Sequence, residues 1–258
     1  MKGELVATTG LRVGRGSEVS DPVSADLPVF REREQVLIPG SSLRGALRSH
    51  AERVLRALEP EFGNGRGACD PFGKDSCVTA EQHRKWVEEF RTRRDAGERL
   101  AQAVYSASCR VCRVFGSPWL SSRLRVADLP PASDQVHAYV RDGVAIHRDR
   151  GTVENKYDYE VVPRTTAFHL EIWAENLEPA EEGLLFFLLG ELAAGNIQLG
   201  GFRSRGLGGV ELRDWQVERQ GGDRDALLAF LRSGTGQMVD EAYQGERLAT
   251  FWESVGGA

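Results

Sequence analysis

The sequence predicts an α+β fold, with a ferredoxin-like antiparallel sheet and helices on one of its faces. Strand and helix patterns follow one another in the order strand, helix, strands, helix, strand, which is typical of that class. A hydrophobic fraction of 41% in 258 residues provides enough apolar surface for a sizeable core. There is no internal repeat and no low-complexity linker. We therefore expect a single domain over residues 1–258, with an insertion at about 60–108 and a projecting arm at about 136–160.

The first strand is predicted in ELVATTGLRVG, with a bend at Gly10. The first helix is predicted in LIPGSSLRGALRSHAERVLRAL, where Ser41 or Ser42 is a suitable N-cap. Arg44 and Arg48 are four residues apart and share one helical face. The apolar residues that share a different stripe of the helix are Leu43, Leu47, Val54 and Leu58.

The inserted region contains a helix signal from TAEQHRKWVEEF onward, and Thr79 with Gln82 has capping-box spacing. Further strands are predicted in SRLRVADL, TAFHLEIWAE and GGVELRDWQVE, and a buried helix in EEGLLFFLLGELAAG. The arm is a charged hairpin in AYVRDGVAIHRDRGTVENKYDYEVVPRT. Two short helices are predicted near the C-terminus, at Ala226–Leu231 and Glu241–Val255.

The charge composition bears on the class of partner. The formal net charge of −5 is a mild argument against nucleic acid as a partner, because proteins that bind nucleic acids are usually basic. Of the 33 basic residues, however, 4 are lysine and 29 are arginine. Arginine makes forked hydrogen bonds to phosphate, although a genome rich in G and C would also favour it. With no run of 18 apolar residues and no signal-peptide core, we expect a soluble, cytoplasmic protein without a membrane partner.

Four cysteines in two clusters are the candidate metal ligands. Cys69 and Cys77 bracket DPFGKDS in the insertion, and Cys109 and Cys112 form the pair CRVC. Thiolates are soft ligands that suit a tetrahedral Zn²⁺ ion, and close spacing lets one loop supply two of them. We expect a structural zinc site, with His83 as a possible substitute ligand. Free thiols or a redox pair are the alternatives.

Two segments have the features of a phosphate-binding groove. The helix start PGSSLRG offers backbone N–H groups and a positive dipole end near Ser41, Ser42, Arg44 and Arg48. The stretch GGFRSRGLGGVEL has five glycines in ten residues and precedes a strand. The residues of this second segment that are expected to contact phosphate are Gly201, Arg203, Ser204 and Arg205. A solvated tight turn is the alternative for the glycine-rich stretch.

Several of these segments, in this order, resemble one known family. The segments are LIPGSSLRGALRS, CRVCRVFGSP, DGVAIHRDRGTV followed by YDYEVVP, and GGFRSRGLGGVEL. Together they resemble the RAMP superfamily, in particular the backbone subunits of type III CRISPR effector complexes, over residues 4 to 218. The resemblance implies a modified RNA-recognition-type fold that binds guide RNA and target RNA. It also implies a filament of copies or related subunits, with other complex subunits as partners.

The resemblance further implies a cutting site and a wedge. A loop aspartate after the first strand would cut target RNA with Mg²⁺ or Mn²⁺, and ADLPVFRE places it at Asp26, with Asp21 in SDPV as a competing placement. The arm would be a hairpin thumb that displaces a base pair, with His147 and Arg148 near RNA. His147 stands where the family pattern has an acidic residue.

Two other functions stay open at this point. The chain could hold guide RNA without cutting, as in family members that have lost the aspartate. It could also process the guide transcript without metal, using His50 and His147 as acid–base groups.

Overall fold

The computed structural model describes residues 1–14, 25–220 and 223–256. The strands are β1 (Lys2–Ala7), β2 (Arg31–Glu32), β3 (Gln35–Val36), β4 (Leu124–Val126), β5 (Tyr139–Ile146), β6 (Val153–Val161), β7 (Ala167–Ala174), β8 (Val210–Gln216), β9 (Glu218–Arg219) and β10 (Gln237–Met238). The helices are α1 (Gly40–Leu58), α2 (Ala80–Phe90), α3 (Ala96–Ala107), α4 (Arg110–Phe115), α5 (Pro179–Ala193), α6 (Arg224–Ser233) and α7 (Glu241–Gly256), with a 3₁₀ turn at Arg203–Arg205.

The chain divides into two compact units. The first comprises residues 1–46, 126–172 and 191–218, and the second comprises residues 47–125, 173–190 and 219–258. Residues 60–108, which the sequence marks as an insertion, belong to the second unit. Among the described residues, no helix combines the length and the apolar content needed to cross a bilayer.

A four-stranded sheet carries the first unit, in the spatial order β4-β7-β1-β8. Along the chain these strands and the two long helices follow as β1, α1, β4, β7, α5, β8, which is the split βαβ arrangement of ferredoxin-like folds. Strand β1 pairs antiparallel with both neighbours, so that Leu5 lies opposite Phe168 on one side and Leu212 on the other. All three side chains are buried. The predicted antiparallel sheet is therefore confirmed.

The arm is a two-stranded antiparallel hairpin formed by β5 and β6. Its strands pair from Tyr139 opposite Val161 to Ile146 opposite Val153, with a register shift near the tip. The tip is closed by a hydrogen bond from the His147 N–H to the Thr152 carbonyl. The two strands and the turn between them span residues 139–161.

The first helix differs from its prediction in two respects. It begins at Gly40, so Ser41 and Ser42 lie in the first turn and neither is the N-cap. A side chain at position 40 would collide with the carbonyl oxygens of Val126 and Ala127, so the helix starts where glycine alone fits. The buried stripe shares Leu43 and Leu47 with the predicted one but then continues through different residues. Its members are Leu43, Leu47, Ala51 and Leu55, whereas Val54 is half-buried and Leu58 is exposed.

The second unit is mainly helical. Thr79 caps α2 by accepting a hydrogen bond from the Gln82 N–H, as the capping-box spacing predicts. Helix α5 is buried over most of its surface, which explains its nearly continuous apolar sequence. The two C-terminal helices are confirmed as α6 and α7. Arg110 makes a buried two-pronged bond to Glu59 and also bonds Ser254 of α7.

Candidate functional site

The second unit gathers all four cysteines at one point. The sulfur atoms of Cys69, Cys77, Cys109 and Cys112 lie within 4.8 Å of one another. The Sγ atoms of Cys69 and Cys112 are 3.6 Å apart, and those of Cys109 and Cys69 are 3.7 Å apart. All four thiols are free, since these distances far exceed the length of a disulfide, about 2.05 Å. The cluster can bind a metal ion.

The spacing of the sulfur atoms fits a tetrahedral ion of the size of zinc. With Zn–S bonds of about 2.3 Å, the edge of a tetrahedron is about 3.8 Å. The two shortest sulfur separations, 3.6 and 3.7 Å, are close to that edge. The donor set and its geometry therefore suit a closed structural site with four thiolates.

Hydrogen bonds among the four thiols lower the pKa of two of them, Cys77 and Cys109, and raise the pKa of the other two, Cys69 and Cys112. Hydrogen bonds with Cys112 and then with Cys69 lower the pKa of Cys109 to about 7. The pKa of Cys77 is lowered too, first by its hydrogen bond with Cys109. Cys109 is the N-cap residue of α4, where free N–H groups favour a negative charge. Thiolates are the form that binds metal.

Two arginines of α1 hold the loops that carry these ligands. The Arg48 guanidinium donates hydrogen bonds to the Glu52 carboxylate, to the Gly116 carbonyl and, at 3.6 Å, to the Cys112 sulfur. Arg56 donates to the carbonyl oxygens of the loop at Ala68 and Cys69. Arg48 thus has a structural role beside the cysteines. The contact with RNA that the sequence suggests for it stays a prediction.

His83 lies in a different setting. Its ring stacks on Trp119, with the ring centroids 4.3 Å apart. The group of sulfur atoms is complete without it, because four cysteines already supply four ligands.

In the first unit, the glycine-rich stretch packs against its own chain. A side chain at Gly200, whose φ is +81°, would collide with the Arg12 carbonyl oxygen. One at Gly208, whose φ is +90°, would come within 2.5 Å of the Leu199 oxygen. The amide of Gly201 donates to the Arg12 carbonyl and that of Gly208 to the Gly10 carbonyl. Close internal packing and a positive φ therefore explain Gly200 and Gly208.

The tip of the glycine-rich stretch is exposed to solvent. Arg203, Ser204 and Arg205 form an exposed 3₁₀ turn. The N–H groups of Phe202, Arg203 and Ser204 make no hydrogen bond to any residue within the described ranges. Three neighbouring amides beside two exposed guanidinium groups are donors of the kind that bind phosphate oxygens. Within the glycine-rich stretch, these donors lie at residues 202–205, which we call the phosphate cradle; its contact with phosphate stays a prediction.

Aromatic rings hold one of these arginines in place. The Arg205 guanidinium lies over the rings of Phe202 and Tyr157, at 4.8 and 5.7 Å, and bonds the Tyr157 hydroxyl. Arg12 lies over the same Phe202 ring at 5.1 Å, and Tyr159 stacks on it at 4.7 Å.

Sequence reasoning missed this cluster. The aromatic residues next to the glycines and within YDYEVVP were its visible signal. Because Tyr157 and Tyr159 belong to β6, the cluster joins the cradle to the base of the arm.

Asp26 is exposed and lies beside β6 of the arm. Its Oδ2 accepts a hydrogen bond of 3.0 Å from the Asp158 N–H, and its own N–H donates to Asp158 Oδ1 at 2.6 Å. Within the described part of the chain, Oδ1 of Asp26 takes part in no hydrogen bond. Asp21, the competing placement, lies outside the described residues. An exposed carboxylate with one unused oxygen suits a hydrated Mg²⁺ or Mn²⁺ ion.

One face of the arm presents apolar side chains to solvent. Val144 and Ile146 are 50% and 58% exposed, and Val140 and Val153 are exposed as well. At the tip, His147 lies half-buried in the turn and Arg148 is exposed. The Nδ1 atom of His147 is shielded and bonds no described residue. Exposed apolar groups on a narrow hairpin are suited to contact with nucleobases.

The fold and these sites define an α+β protein with a ferredoxin-like sheet, a hairpin arm and a cluster of four cysteines that can bind a metal ion. The chain belongs to the RAMP superfamily, because residues 4–211 match that family's model. It is also similar to the CRISPR system Cms endoribonuclease Csm3 of Methanothermobacter thermautotrophicus. The two are 24% identical over 247 residues, which covers 84% of each protein.

Proposed function

We propose that this chain is a guide-RNA-binding backbone subunit of a type III CRISPR interference complex and that it cuts complementary target RNA. The observation that carries the proposal is the exposed Asp26 carboxylate, bonded to the strand of an arm whose apolar face suits contact with bases. Membership of the RAMP superfamily and similarity to an endoribonuclease over 84% of the chain support it.

Guide RNA would be held mainly through its phosphates. The donor surface at Phe202, Arg203 and Ser204, with the stacked guanidinium of Arg205, is the part we assign to the backbone of the guide. Gly201 lets this turn approach closely. The other residues we assign to RNA contact are Ser41, Ser42 and Arg44 at the start of α1, Arg48 in α1, and His147 and Arg148 at the tip of the arm.

Cleavage would need little from the protein itself. RNA can use the 2′-hydroxyl beside the scissile phosphate as its nucleophile, once the sugar reaches an in-line pose. We assign that pose to the arm, which would displace a base with its apolar face. Asp26 would hold a hydrated divalent cation at the phosphate through its unused oxygen. When bound, that cation would neutralise charge and lower the pKa of its water molecules.

We further propose that the four cysteines hold one structural Zn²⁺ ion. The site has no open position, so the metal would tie the loop at Cys69 and Cys77 to the start of α4 and carry no catalysis. The partners of the chain would be guide RNA, target RNA, copies of itself or related RAMP subunits, and the remaining subunits of the complex.

A non-cutting subunit is the alternative that one observation favours. The two hydrogen bonds between Asp26 and Asp158 also anchor the loop, which would be reason enough for an aspartate there. Guide processing by acid–base chemistry has weaker support. His50 is buried, and its ring bonds the Arg53 guanidinium, so an RNA strand has poor access to it.

The Asp26→Asn variant distinguishes a subunit that cuts target RNA from one that only holds guide RNA. Asparagine keeps an oxygen that can accept the Asp158 N–H, so the loop should stay in place while the charge is lost. In the assembled complex we expect target cleavage to fall at least about 100-fold, with guide and target binding unchanged. The wild-type complex should leave 5′-hydroxyl ends and stop cutting when a chelator is added.

Asp21→Asn is the matched control and should cut normally. Normal cutting by Asp26→Asn would exclude Asp26 as the cutting residue. If Asp26→Asn cuts normally and Asp21→Asn does not cut, the cutting residue is Asp21. Normal cutting by both variants would place cleavage elsewhere or in another subunit.

A further inference from the structure

The segment that carries Asp26 runs alongside β6 of the arm. Leu27 donates its N–H to the Asp158 carbonyl and accepts a hydrogen bond from the Glu160 N–H, which forms a short parallel bridge. Two residues further on, the Val29 N–H donates to the Glu160 carboxylate. The loop is therefore attached to the arm strand over residues 26–29.

A second anchor lies beyond this bridge. Arg31 makes a two-pronged ion pair with Glu160, at 2.5 and 2.8 Å, and both side chains are largely buried. Burial acts to raise the pKa of Glu160, but the hydrogen bonds from Arg31 and from the Val29 N–H outweigh it and leave that pKa below its usual value. This anchor holds the loop without any contribution from Asp158.

Asp158 makes contacts of another kind. Its carboxylate accepts the N–H of Asp26, and its own N–H donates to the carboxylate of Asp26. The first bond fixes the backbone at Asp26, and the second fixes one oxygen of the Asp26 side chain. An exposed aspartate would otherwise sample several rotamers.

We propose that Asp158 is a positioning residue for cleavage at Asp26. Its side chain fixes the backbone at Asp26, and through that backbone the position of the Asp26 carboxylate, so that the cut falls at a fixed distance from the base that the arm displaces. The inference rests on the proposed function, and it assigns two roles to the arm: displacing a base and positioning the Asp26 carboxylate. The opposing residue on β5, Asp142, forms an exposed ion pair with Lys156 and has no such bond to Asp26.

The test compares three variants in complexes assembled with guide RNA. Asp158→Ala removes the acceptor for the Asp26 N–H but keeps the backbone N–H and the Arg31–Glu160 anchor, so the protein should fold. Asp158→Asn keeps an oxygen acceptor and loses the charge. Asp142→Ala removes a neighbouring charge but leaves the hydrogen bond between the Asp26 N–H and the Asp158 carboxylate in place. Cleavage is measured at saturating and at limiting target, beside thermal unfolding and the amount of bound guide.

We expect Asp158→Ala to lower the cleavage rate at saturating target by about 10- to 100-fold, as for the loss of a hydrogen bond to a charged group. Target affinity and bound guide should be unchanged. Asp158→Asn should recover most of the lost rate, and Asp142→Ala should cut normally.

Three results would overturn the inference. If Asp158→Ala cuts at the wild-type rate, the bond serves the fold alone. If Asp158→Asn is as slow as Asp158→Ala, the charge matters and Asp158 acts as a direct ligand. If Asp142→Ala is equally slow, general acidity of the arm is the cause. Failure of the proposed function is recognised separately, because an active Asp26→Asn complex would refute it whatever the Asp158 variants do.

Discussion

Replacing Cys109 by serine is expected to release one zinc ion per chain and to destabilise the second unit. The four sulfur atoms lie within 4.8 Å of one another, and their two shortest separations, 3.6 and 3.7 Å, are within about 0.2 Å of a tetrahedral edge of about 3.8 Å, so the chain holds the ligands near one another before metal binds. Structural zinc sites contribute on the order of 10 kcal/mol to folding. If losing one ligand removes about 4 kcal/mol of this, unfolding of a chain this long should shift down by roughly 8 to 16 °C.

Elemental analysis of freshly purified protein and a thermal scan with and without chelator measure both effects. Ser76→Ala is the matched control, because Ser76 precedes Cys77 and its hydroxyl donates to the Val78 carbonyl rather than to the cysteines. That variant should keep its zinc and unfold close to the wild-type temperature. Absence of zinc from the wild-type protein, or unchanged metal content in Cys109→Ser, would refute the reasoning from geometry.

Two further predictions concern RNA. Replacing both Arg203 and Arg205 by alanine should weaken guide binding equally for any guide sequence. The slope of log affinity against log salt concentration should fall by about 1.4, the value for two phosphate contacts on a single strand. If the variant and the wild-type protein bind guide RNA with equal affinity in titrations at several salt concentrations, the cradle does not bind phosphate. Joining Gly143 to Tyr157 through an Asn-Gly turn should remove the outer arm but keep Asp158 in its paired strand. The shortened protein should keep its guide and lose cutting at regular intervals, and a gel that still shows the regular product ladder would disprove the wedge.

The parts of the fold that follow from local patterns could be predicted from the sequence. Alternation in TAFHLEIWAE and continuous apolarity in EEGLLFFLLGELAAG correspond to β7 and α5, because each pattern reflects the faces that an element buries. The two cysteine pairs could be predicted to meet for a chemical reason, since four thiols in a chain of this kind have few other uses. The start of α1 was predicted wrongly. The capping rule favours Ser41 or Ser42, whereas the helix begins at Gly40, a position where a side chain would collide with the carbonyl oxygens of Val126 and Ala127.

The candidate cutting site could be predicted only in part, because its second half is not local. Asp26 and Asp158 are separated by 132 residues, and neither has a neighbour in sequence that marks it as one of a pair. Within YDYEVVP, the alternation of β6 sends Tyr157 and Tyr159 to one face and Asp158 and Glu160 to the other. The first face stacks on the glycine-rich loop through Phe202, and the second bonds the Asp26 segment. One strand therefore connects the phosphate cradle with the exposed carboxylate, and a shift of one residue in its register would exchange the two faces and separate Asp26 from its partner.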